Sequence, residues 1–164
     1  MLIDAIRNWQ LSQLEKNIAT IKHTVQDVSE TALKSYRDQG TGWTALEVLC
    51  HLRDFEKLFL ERIHLTVNRD NPPLPFPDPN ALADELNYNA DNPSLVFSHW
   101  SALRREQLEF LQKRAESDWE RPAQHPTRGH FTLHDQLFLT AWHDANHIEQ
   151  ITRILYEKQV PQEL

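Results

Sequence analysis

Near the C terminus, His143 and His147 stand four residues apart in the run TLHDQLFLTAWHDANHIEQITRILY, Thr132 to Tyr156. In an α-helix, residues at i and i+4 lie one above the other, so both imidazoles point the same way. Imidazole nitrogen is a ligand for zinc and similar divalent ions, and a site with three protein ligands leaves positions open for water or substrate. His51 is the candidate third ligand. It either reaches across to the pair or is a core histidine satisfied by a neighbour's carbonyl. An ion held by the three would lower the pKa of a bound water or thiol toward neutrality and so make a nucleophile. Ligating histidines normally give their second N–H to a carboxylate, amide or carbonyl, and by helical position Glu47, Asp54, Gln136, Thr140 and Gln150 are the candidates.

Other chemistry-bearing residues are weaker signals. Asp144 occupies the place of the Glu in an HExxH metalloprotease, but Asp is shorter and no further pattern of that class surrounds it. A protease is not expected, and a metal-assisted hydrolase using Asp144 or Glu47 as base is a minor alternative. His125, His130 and His134 read as surface or loop residues, the last because it sits about 180° around the helix from His143. His23 reads as solvated, and the single Cys50 as a small buried helix residue.

Four long helices are expected to position these groups. Apolar residues from Ile6 and Trp9 through Val28 step by three to five and predict a first helix over Leu2 to Val28. Ser29 to Gly42 reads as a connection with a helical turn near Ala32 to Tyr36. Thr44 with Glu47 is a capping box that opens a second helix carrying His51, with Val48, Leu52, Phe55, Phe59 and Ile63 as its apolar stripe. Asn68 to Asn92 holds five prolines between Pro72 and Pro79, which no continuous helix can pass. This long crossover is a candidate pocket wall, with a short helix at Ala81 to Tyr88. Asn92 and Pro93 start a third helix running to about Glu116, whose Arg104, Arg105, Glu106, Glu109 and Lys113 read as a solvated surface. Ser117 to Phe131 is a second connection, and Thr132 with Asp135 caps the last helix. The expected fold class is all-α, a four-helix bundle with a Pro-rich crossover between the second and third helices, as a single domain over residues 1–164.

Composition agrees with that class. The chain has 164 residues, 40% of them hydrophobic, and three glycines, enough for one core and too few for a turn-rich β protein. A net charge of −7 argues against a nucleic-acid partner, which requires clustered Lys and Arg. No apolar run approaches the roughly 20 residues that cross a bilayer, so no membrane partner is expected. The lone cysteine and the absence of a signal-peptide core point to the cytoplasm.

Two stretches together, GWTALEVLCHLRDFE and HPTRGHFTLHDQLFLTAWHDANHIEQI, resemble the DinB/YfiT-like superfamily of metal-binding four-helix bundles. The resemblance covers nearly the whole chain and implies that His51, His143 and His147 bind a divalent metal, with zinc or nickel expected. His125, Pro126, Gly129 and the AWHxxxHxxQI pattern look closest to the bacillithiol-transferase branch. What that implies is a metal-dependent thiol S-transferase, adding a low-molecular-weight thiol to an electrophilic substrate. Arg53, Arg62, Arg69 and Arg128 are the cations near enough in the chain to meet an acidic co-substrate, and otherwise read as surface arginines. The alternative is a non-catalytic, stress-associated metal-binding bundle. Homodimerisation is a further expectation for a bundle with an exposed apolar stripe.

Overall fold

Three of the four long helices begin where the sequence supplies an acceptor for their first N–H groups. The structure is a computed structural model that describes residues 2–157. Its helices are α1 (Leu2–Val25), α2 (Glu30–Ser35), α3 (Ala45–Asn68), α4 (Pro79–Glu85), α5 (Pro93–Gln112) and α6 (Leu133–Glu157). Glu47 Oε2 accepts from the Thr44 N–H at 2.6 Å and Thr44 Oγ1 from the Glu47 N–H at 3.1 Å, the reciprocal box expected at α3. Asn92 caps α5 ahead of Pro93, and Thr132 and Asp135 exchange the same two bonds ahead of α6. Met1 and residues 158–164, the ends of the expected domain, lie outside the described residues.

The connection expected over 117–131 contains instead an antiparallel hairpin, β1 (Pro122–His125) and β2 (Gly129–Thr132). Gly129 at φ +72° adopts the left-handed conformation that lets the chain reverse. Strands of four residues are too short for alternation to register in the sequence. The hairpin is also stabilised from outside: Gln124 donates its N–H to the Pro72 carbonyl at 2.8 Å, and its own carbonyl accepts from Leu74 at 2.9 Å. The Pro-rich crossover is thereby laced to β1. Leu74, Ala123 and Phe131 form a small apolar cluster beneath the pair, against Leu65 and Leu139.

Helices α1 and α3 each pack against both α5 and α6, which closes a four-helix bundle. Its interior is layered. One apolar cluster gathers Ile21, Val48, Leu52, Trp100 and Ile151; another gathers Leu14, Ile63, Leu108, Leu111 and Leu137. Between them lies a polar layer to which every long helix contributes one residue: Asn17, Glu56, Arg104 and Asp144. Arg104, expected on a solvated surface, is fully buried, because the inner face of α5 rotates it between Trp100 and Leu108. Trp9, expected on the inner stripe of α1, is 66% exposed, as are Phe138 (60%) and Trp142 (53%) on α6. Among the described residues, no helix is long and apolar enough to cross a membrane.

Candidate metal centre

Helix α3 carries His51 two turns beyond its cap, and α6 carries His143 and His147 on the face turned toward α3. The ligand atoms of the three all lie within 4.8 Å of one another. His51 reaches across to the pair, with its Nε2 2.9 Å from that of His143. Aromatic rings enclose the group. Trp43, from the Gly-Trp-Thr lead-in to α3, lies 5.0 Å from the His51 ring; Phe55 lies 4.1 Å from it and stacks on His143 at 5.6 Å; Phe59 meets His143 edge-on at 5.1 Å.

Burial keeps these imidazoles neutral. It pushes His51 down to about 3, with a further contribution from His147, and holds His143 well below the usual histidine range. His147 is also lowered by burial, opposed by its bond to Gln150 and by the Asp144 charge. Neutral rings have lone pairs to offer, which is the state a metal requires.

The tautomer of His147 follows from its neighbours. Gln150 donates its amide N–H to Asp38 Oδ2 at 2.9 Å, so the amide oxygen faces His147 Nδ1 at 2.8 Å. Nδ1 must then carry the proton, leaving the Nε2 lone pair free. Asp38 is itself held by Arg153. Gln150 is the one second-layer candidate that the fold uses in this way. Glu47 caps α3, Asp54 pairs with Arg53, Gln136 donates to Thr66 Oγ1, and Thr140 donates to the Gln136 carbonyl. The Nδ1 atoms of His51 and His143 are buried without a partner among the described residues. Three neutral, converging imidazoles with one tautomer already set fit a divalent cation.

Asp144 cannot serve as a base here. It is 1% exposed, and its oxygens accept from Arg104 Nη1 at 2.5 Å, Arg104 Nη2 at 3.0 Å and Asn17 Nδ2 at 2.9 Å. Arg104 simultaneously binds Glu56, whose carboxyl is raised above the usual range by burial. Cys50 is buried as expected, its thiol pushed up to about 12 by desolvation.

His125 departs from its expected place on the surface. It is 2% exposed, lying between the Phe76 ring of the crossover at 5.3 Å and Phe131 of β2 at 5.2 Å. Its Nδ1 accepts from the Thr127 N–H at 3.3 Å, so Nε2 carries the proton, and that N–H is buried with no partner among the described residues. A buried donor left unpaired costs on the order of 1–3 kcal/mol. Of the four arginines, Arg53 is engaged by Asp54 and Asp91 and Arg69 is exposed. Arg62, expected on the surface, is 2% exposed and donates to the Pro75 carbonyl from Nε and Nη2.

The model of the DinB superfamily matches residues 13–151. The chain belongs to the DinB superfamily. A protein of Oceanobacillus iheyensis provisionally named a metal-dependent hydrolase is 28% identical over 154 residues, 93% of this chain and 87% of that one. The solved structure of YfiT from Bacillus subtilis, described as a probable metal-dependent hydrolase with an unusual four-helix bundle topology, superposes with a TM-score of 0.86 at 25% identity, covering 94% of this chain and 89% of YfiT. A mycothiol-dependent maleylpyruvate isomerase superposes with a TM-score of 0.73 at 12% identity, over 88% of this chain and 60% of the isomerase, a likeness of fold alone.

Proposed function

We propose that this DinB-superfamily chain binds a divalent metal, zinc or nickel, through His51, His143 and His147, and uses it to activate a low-molecular-weight thiol for transfer to an electrophilic substrate. One observation carries the choice of thiol: among the described residues the two carboxylates weighed as general bases, Asp144 and Glu47, are committed to Arg104 and to the α3 cap. With both carboxylates committed, a nucleophile at this site would depend on the pKa-lowering that a bound ion would supply rather than on either of them as base. A thiol, with an ordinary pKa near 8.5, loses its proton far more readily than water.

The metal, when bound, supplies Lewis acidity and a lowered pKa for its nucleophile. The protein's own residues do the rest. Gln150 orients His147, Arg153 and Asp38 orient Gln150, and the rings of Trp43, Phe55 and Phe59 restrict water around the imidazoles. A second reading, metal-dependent hydrolysis, is favoured by the names of the Oceanobacillus and Bacillus relatives. The deciding experiment incubates metal-loaded protein with bacillithiol or another small thiol and a panel of electrophiles, and separately with activated esters. Conjugate formation that disappears in His51→Ala supports transfer. Ester hydrolysis without conjugation replaces it with the second reading. Neither activity, together with a large loss of stability on chelation, marks a bundle in which the ion only staples α3 to α6.

A further inference from the structure

The corner where the crossover, the hairpin and α3 meet holds a second set of polar groups that the histidine site does not use. We infer that His125, Arg62 and Arg128 form an anion subsite beside the histidines, which takes the carboxylate or phosphate group of a small organic acid. Its role as the far end of the metal's substrate rests on the proposed function, whereas anion binding itself does not.

Three observations converge on it. The Nε2–H of His125 is a buried donor without an acceptor, fixed as a donor because Nδ1 accepts from Thr127. Two guanidinium groups act on it: burial lowers His125 and the charges of Arg62 and Arg128 lower it further, and Arg62 is itself lowered first by burial and then by Arg128. The cluster adjoins the histidine site through a continuous wall, because Arg62 lies 5.7 Å over the Phe59 ring, which also meets His143 edge-on, and 5.7 Å over Phe76, which packs on His125. A neutral N–H aimed into a buried corner beside two cations is complementary to an oxyanion and to little else. Glu61 is the carboxylate that acts on Arg62, and it is exposed. Arg62 is held to the Pro75 carbonyl by two of its nitrogens, so its guanidinium is already oriented before a ligand arrives.

The test uses the full chain with two probes. In cobalt-loaded protein, 3-mercaptopropionate is compared with its uncharged amide by the sulfur-to-cobalt absorption band. In metal-free protein, inorganic phosphate is titrated while the His125 ring signals are followed by NMR. The carboxylate thiol is expected to bind about tenfold to hundredfold more tightly than the amide, as one or two charge-assisted hydrogen bonds would give. Arg62→Gln should bring that ratio close to one without changing metal content. If Arg62→Gln does not fold, the exposed Arg128→Gln should lower the ratio severalfold. Phosphate that shifts the His125 ring while the two thiols bind equally supports the subsite and identifies phosphate as its ligand. A ratio near one in the wild type with no phosphate response, or a preference that neither arginine variant alters, overturns the subsite. Failure to take up cobalt overturns the metal reading instead, and the phosphate titration then decides the subsite alone.

Discussion

A histidine ligates a metal only while neutral, and burial lowers all three of these imidazoles, His51 and His143 well below the usual histidine range. The same burial carries a stability consequence whose sign is fixed. An unfolded histidine titrates near 6.5, whereas His51 in the fold is pushed down to about 3, so between those values the unfolded chain binds the proton and the folded one does not. Stability conferred by this group is complete above about pH 6.5 and falls as the pH drops toward 3. Urea denaturation of metal-free protein should therefore show a lower midpoint at pH 5 than at pH 7, and His51→Asn should flatten the difference. An unchanged slope in that variant would assign the drop to other groups. Gln150 presents a separate expectation. Replacing it with Leu removes the acceptor that sets the His147 tautomer, and metal affinity should fall about 10- to 100-fold with the fold intact. Competition titration with a chromogenic chelator measures this directly.

At the scale of elements, the caps decide where the candidate ligands stand. His51 sits two turns into α3, so its height over α6 depends on the Thr44 box holding the first turn. Thr44→Ala should cost about 1 kcal/mol of stability, and somewhat more if the bond from Thr44 Oγ1 to Asn89 is counted. Thermal unfolding reads this change. In the hairpin, a Cβ on Gly129 would meet nothing within 4 Å, yet its φ of +72° disfavours any residue with a side chain. Gly129→Ala should thus destabilise by about 1–2 kcal/mol through backbone strain alone. The hairpin's reach goes beyond its own turn, because β1 holds the crossover and presents His125.

The whole molecule is divided by its buried ion layer. Arg104 ties Glu56 and Asp144 from two other helices, and Asn17 from the fourth completes the layer. Removing one partner of a buried pair leaves uncompensated charge, so Arg104→Met should cost about 3–5 kcal/mol, measured by chemical denaturation. A loss below 1 kcal/mol would mean that one carboxyl there is neutral and the layer contributes little. Because an ion held by the three histidines would join α3 to α6, saturating metal should also raise the unfolding temperature. At a hundredfold excess over Kd the gain is about 2.7 kcal/mol. Substituting both His143 and His147 by Ala should abolish it.

Local sequence determined the helices and pointed to the three histidines that the fold brings together. Capping signals, helical periodicity and prolines depend on residues within a turn or two, and they placed α1, α3, α5 and α6 to within a few residues of the observed ends. The spacing of His143 and His147 determined that they face one way, and the histidine of α3 was already the candidate to meet them. Tertiary structure decided what local pattern cannot encode. Arg104 and Asp144 read as solvent-facing or catalytic until three other helices enclosed them, and Gln150 was one of five equal candidates until Asp38 oriented its amide. The hairpin exists because the crossover pairs with it, a contact between segments some fifty residues apart. His125 and Arg62 were hidden for the same reason: burial and unpaired hydrogen-bonding capacity are properties of the surroundings, and the surroundings of a residue in a loop come from elsewhere in the chain.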